Sequence, residues 1–294
     1  MKQHESAQAM NSDAGAFAAP ALSVEDSSAL DEAVALLERT SLAATIAHAL
    51  GRPAARLSQL IPAPVRMFAE RAAHSALQRA VLVATHSLSA GAGPARRRLH
   101  AAMSAASGAA GGAFGLGALA VELPVSTLII LRSIADVARA EGEDLHAPET
   151  AIACLQVFAL GGRQPADDYM DSSYFALRGL MAKSVSDAAS YIASHGLSKE
   201  GAPAIARLLA VLSPRFGLVA SQKMAAQSLP VIGALGGAAI NYAFSRHFHD
   251  LARGHFTVRR LERTYGPEMV QREYEVRAGA PASKRDGEIL NERV

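Results

Sequence analysis

Two stretches of this chain carry no charge and repeat glycine at helical spacing, and the polar positions are arranged around them. From Ala101 to Val121 there is no charged side chain, and Gly108, Gly111, Gly112, Gly115 and Gly117 sit within the run. Gly108/Gly112 and Gly111/Gly115 are one helical turn apart. The small face they make lets a second helix approach to backbone distance, in lipid or in a tight soluble core. After Glu122 and Leu123, Pro124 suits the first position of a helix, where its missing N–H would be unpaired anyway. From there Ile130, Leu131, Ile134, Val137 and Ala138 fall on one face, with Arg132, Asp136, Arg139 and Glu143 as a charged stripe opposite. The first two turns are apolar all round, so this helix is expected to start buried and to emerge into water. Glu122 stands between two apolar runs, where a carboxylate must be paired or protonated. Arg132 is its expected partner.

The second uncharged stretch is Met224 to Ser245, with Gly233, Gly236 and Gly237 in it and Asn241 among its apolar residues. Leu229-Pro230-Val231 echoes Leu123-Pro124-Val125, and Arg246, Asp250 and Arg253 repeat the spacing of Arg132, Asp136 and Arg139, which admits either a degenerate duplication or chance. Gly108, Gly112, Gly115, Gly233 and Gly237 are the expected helix-contact glycines. Elsewhere the periodicity predicts helices over 24–50, capped by Ser23 or Asp26, and over 65–89. Further helices are expected from Pro148 to the Gly161-Gly162 stop, over 173–194, over 198–212, and from Pro214 onward. Residues 1–23 and the polar end beyond about 278 read as flexible tails.

Together these elements predict an all-α fold: one multi-helix domain over 24–278 with the two glycine-bearing apolar helices at its centre. A membrane span needs about 20 predominantly apolar residues. The uncharged runs are long enough, but they are built of Ala, Gly and Ser, and each interior glycine costs a helix roughly 1 kcal/mol against alanine. They are therefore read as a buried helical hairpin, with docking into a bilayer surface, and then a true span, as alternatives. Arg96, Arg97 and Arg98 stand directly before the first run. Between Arg246 and Arg263, five arginines and three histidines meet only Asp250 and Glu262. Arg96, Arg97, Arg98, Arg246, Arg259, Arg260 and Arg263 are thus candidates for contact with anionic headgroups.

Composition narrows the chemistry. Half of the 294 residues are hydrophobic, 5% are aromatic and none is Trp. A net charge of +2 gives no footprint for nucleic acid. Cys154, the single cysteine, lies in an apolar run and reads as inert core. No apolar leader is visible near the start, so the expected location is the cytoplasm, at the inner membrane face. Gly115-x-Gly117-x-x-Ala120 lacks the preceding strand of a dinucleotide loop, and there is no P-loop. His247 and His249 point about 200° apart on a helix, so they make no local metal pair. No Gly-x-Ser-x-Gly elbow occurs. No catalytic residue, metal or cofactor is implied. Glu122, Arg132, Asp136 and Asn241 remain as a candidate buried polar cluster.

The glycine run, Glu122-Leu-Pro124, Arg132 with Asp136, Gly142 before Asp144-Leu145, Pro148-Glu149 and Gly161-Gly162 resemble, in order and spacing, the EcsC family of bacterial proteins. So do Pro230-Val-Ile-Gly233, Gly237, Asn241, Phe256 and Arg259-Arg260-Leu261. The resemblance covers about residues 65–265. The family's pattern is expected to carry an aromatic before Gly142, and here the residue is Glu141. The family is named for a gene beside an ABC transporter, which implies membrane-proximal work but no reaction, cofactor or catalytic residue. The expected function is a non-enzymatic protein at the cytoplasmic membrane face, accessory to a transport system. Its partner would be an anionic membrane surface or a membrane protein, and not nucleic acid. The alternatives are an enzyme or small-molecule carrier using the Glu122 cluster, and a soluble helical adaptor.

Overall fold

The computed structural model describes residues 21–39, 42, 45, 46, 63–87, 119–162, 173–196, 203–227 and 233–279. Gly108, Gly112, Gly115, Arg96, Arg97, Arg98 and, apart from residues 21–23 and 279, both expected tails lie outside the described residues. Eight α-helices and no strand occur among the described residues: α1 Val24–Arg39, α2 Ala63–Ser87, α3 Leu119–Ala140, α4 Pro148–Leu160, α5 Ser173–His195, α6 Pro203–Gln227, α7 Gly233–Tyr265 and α8 Pro267–Gly279. The all-α expectation holds.

Local chemistry sets several boundaries. The Asp26 N–H donates to Ser23 Oγ at 3.1 Å, the expected cap of α1. α3 ends where Gly142 takes φ +81°, a left-handed turn that glycine alone enters without strain. Its N–H donates to the Arg139 carbonyl and that of Glu143 to the Ala138 carbonyl, closing the last turn. Pro148 occupies the first turn of α4.

Two prolines behave differently from expectation. Pro124 does not open α3 but lies inside it, following a turn that begins at Leu119. So near the start of the helix it withdraws only one early backbone bond. Pro214 does not separate two helices either, because α6 runs through it. Pro214 and Ala210, whose carbonyl the proline ring leaves without its helical donor, are both on the exposed face, where water serves that carbonyl.

Side-chain contacts fix how the helices run. Ser133–His249, Glu141–Thr257 and Glu143–Arg259 all join positions 116 apart, so α3 and α7 lie side by side, parallel and in register. Gly217 abuts Glu70, and Ser213 bonds His74, so α2 runs antiparallel to α6. Arg253–Glu32 and Arg260–Asp26 set α1 antiparallel to α7. Every helix contributes to one apolar core. The helix buried on all faces is α4, from Thr150 to Leu160. Among the described residues α6 is the helix long and apolar enough to cross a membrane, and 61% of its most apolar window is buried in the bundle.

Candidate functional site

The register places the start of α3, the end of α6 and the start of α7 at one end of the bundle. In the stretches 119–131, 216–227 and 233–245 the only charged residues are Glu122 and Lys223. They find each other: Lys223 Nζ donates to Glu122 Oε1 at 2.8 Å, with side chains 1% and 4% exposed. Lys223 also donates to Ser126 Oγ at 3.2 Å and lies 4.7 Å from the Phe244 ring centroid. Gln227 Nε2 donates to the second Glu122 oxygen at 3.1 Å. Burial lowers the Lys223 pKa, and the Glu122 carboxylate opposes that shift.

This geometry corrects the expected cluster. Arg132 is exposed, and it stands ten residues beyond Glu122 on the same helix, about 15 Å along the axis. It cannot be the partner of Glu122. Asp136 lies 3.6 Å from Arg139 on its own helix. Asn241 is fully buried on α7. The four residues therefore do not form one site, and Lys223 and Gln227 replace Arg132.

The opposite end holds the basic segment of α7, and its arginines are engaged. Arg259 binds Glu143 through two hydrogen bonds of 2.8 and 3.0 Å. Arg263 pairs with the same carboxylate, and Thr150 donates to it at 3.1 Å. Arg260 bridges Glu141 at 2.9 Å and Asp26 at 2.8 Å, and the Tyr265 hydroxyl donates to Asp26 at 2.7 Å. Arg178 on α5 holds Glu262 at 2.7 and 3.1 Å. Burial works against the charge of Glu143, but the hydrogen bonds and charges of Arg259 and Arg263 prevail and hold its carboxyl below the usual range. Arg259, Arg260 and Arg263, expected at a membrane surface, are thus structural ties. Their acids come from α1 and the α3–α4 turn, far away in sequence.

Two histidines are sealed inside. His247 is fully buried beside Gly161 and Phe248, and burial lowers its pKa to about 4 against a weaker pull from the Gly161 carbonyl. His255 Nδ1 lies 2.9 Å from the Tyr174 hydroxyl. Burial, then Arg178 and Arg259, hold His255 well below its ordinary value. His249 turns instead toward Ser133.

The uncharged end also shows a ring of exposed apolar side chains: Met67 and Phe68 on α2, Val125 on α3 and Tyr242 on α7. Arg66, Arg71 and Arg132 are exposed nearby and form no ion pair among the described residues. Arg246, expected as a headgroup contact, is exposed and lies 3.6 Å from Asp250. Of the expected glycines, Gly237 is buried and Gly233 opens α7. Two further glycines, Gly162 and Gly254, make close contacts. A Cβ on Gly162 would meet the Arg215 carbonyl oxygen at 2.3 Å, and one on Gly254 would meet Leu37 at 2.7 Å.

No curated protein and no solved structure matches the chain. The EcsC protein family matches it over residues 32–261, from within α1 to near the end of α7, and so takes in both ends of the bundle. By that match the chain belongs to the EcsC protein family.

Proposed function

We propose that this protein is a non-enzymatic component of the cytoplasmic membrane face, held there peripherally by the uncharged end of its bundle. One observation carries the reading: the exposed apolar ring and the charge-free turns of α3, α6 and α7 belong to one end of the bundle. The few charges there are either cancelled inside, as Glu122 with Lys223, or face solvent, as Arg66, Glu70 and Arg71 do. Such an end offers apolar area for the acyl boundary, and the solvent-facing Arg66 beside Met67 has a side chain long enough to keep its guanidinium at headgroup level. Both oxygens of the Glu122 carboxylate are taken up, one by Lys223 and one by Gln227, which weighs against its use as a general base and so disfavours the enzyme and carrier reading.

Flotation of the purified protein with vesicles tests this. The expected result is co-flotation that is lost on Met67→Glu/Phe68→Glu substitution while the helical circular dichroism spectrum stays unchanged. A wild-type protein that stays at the bottom of the gradient with every vesicle composition would favour the soluble adaptor instead.

A further inference from the structure

Resting on the membrane reading, the structure assigns the lipid partner and the pose. We infer that Arg71, Arg132 and Arg246 form a girdle that takes acidic phospholipid headgroups, with the bundle standing end-on and the ring of Met67, Phe68, Val125 and Tyr242 at the headgroup–acyl boundary. The argument is one of height. The constant offset of 116 sets Val125 of α3 beside position 241 of α7, next to Tyr242. Glu70 abuts Gly217, six residues or about 9 Å before Lys223, which meets Glu122. Counted from these contacts, Met67 and Phe68 stand within about one turn of the height of Val125 and Tyr242.

The same count puts Arg71, Arg132 and Arg246 about 6–10 Å farther from the uncharged end than the ring. The headgroup layer of one leaflet is about 5–8 Å thick. With the turns beyond the ring immersed about 10 Å, as interfacial helices are, the ring lies at the boundary and the three guanidinium groups lie among the phosphates. Tyr242 supplies an amphipathic ring that favours such a level, and Phe68 an apolar one for its acyl side. The acids facing this girdle are Glu70 beside Arg71, Asp136, which lies by Arg139, and Asp250, which lies by Arg246. Arg71 and Arg132 have no ion pair among the described residues, in contrast to Arg178, Arg259, Arg260 and Arg263 at the far end.

The chain has no tryptophan, so one substitution gives one fluorophore. Phe68→Trp and Tyr242→Trp report the ring. Val24→Trp reports the other end, since Val24 is exposed and Ser23 touches Tyr265 at the end of α7. On phosphatidylcholine vesicles containing phosphatidylglycerol, acyl-brominated lipid should quench the first two and spare Val24→Trp. The triple variant Arg71→Gln/Arg132→Gln/Arg246→Gln should bind these vesicles at least about tenfold more weakly, with a flatter salt dependence. Arg272→Gln, exposed at the far end, should bind as wild type. Wild-type affinity in the triple variant, with the ring still quenched, overturns the girdle and leaves the membrane reading standing. Quenching of Val24→Trp overturns the pose, and no binding to either neutral or acidic vesicles overturns both.

Discussion

At the scale of single residues, the Lys223–Glu122 pair decides how the uncharged end can exist at all. Each ion alone in that setting would carry a desolvation penalty of several kcal/mol, and their contact, with Ser126, Gln227 and the Phe244 face, offsets it. Removing one partner leaves the other stranded. Glu122→Leu or Lys223→Met alone is therefore expected to lower unfolding free energy by about 3–5 kcal/mol, while the double variant comes close to wild type. Urea denaturation of the four proteins reads the coupling, and additive single effects would refute the pairing. The sequence shows half of this. Glu122 between apolar runs signals a buried charge in need of a partner, and Lys223, the lone charge between Phe216 and Ser245, sends the same signal. Sequence distance does not say that the two answer each other, and the nearer Arg132 is the wrong match because ten residues of helix separate it from Glu122.

At the scale of elements, helix existence is legible and helix continuity is not. Apolar periodicity places α2, α4 and α5 to within a few residues, and the Ser23 cap and the Gly142 stop have local chemical causes. Pro214 reads as a break because the sequence does not tell that its face is solvent-exposed, where a helix tolerates the lost bond. Glycine roles divide the same way. Gly162 is tight because α6 crosses it, a tertiary fact, whereas a Cβ added to Gly179 in α5 would find nothing within 4 Å. Gly162→Ala should thus destabilise by about 1–3 kcal/mol through overpacking on the Arg215 backbone. Gly179→Ala should stabilise by about 0.5–1 kcal/mol through helix propensity. Thermal midpoints moving in the same direction for the two variants would contradict this assignment of contacts.

At the scale of the whole molecule, the charged network and the sealed histidines make stability depend on pH in two stages. An unfolded His247 takes up a proton near its ordinary pKa of 6.5, but the buried one does so only near 4. The unfolded state therefore binds more protons between those values, and stability falls as pH drops from about 6.5 to about 4, by on the order of 3 kcal/mol. His255 acts in the same direction. Asp26, lowered first by its hydrogen bond from Arg260, and Glu143 contribute stability that is present above the ordinary carboxylate range and is lost only below it. A plot of thermal midpoint against pH should accordingly begin to fall near 6.5, and His247→Leu should flatten that upper limb while keeping the drop below about pH 4. An upper limb unchanged in the variant would rule out His247 as its source. The parallel course of α3 and α7 has an electrical consequence as well. α2, α3 and α7 bring their N-termini to the uncharged end and α6 brings its C-terminus, near which Lys223 lies. The three N-termini place positive potential at that end, which the C-termini of α6, and of α1 and α4 that also run toward it, reduce, and the Glu122–Lys223 pair adds nothing net. The arginines tied around the end of α7 balance the negative ends of α3 and α7. The described bundle thus carries an electric moment along α3 and α7, and a negatively charged plane within a Debye length exerts a torque on it before any side chain makes contact.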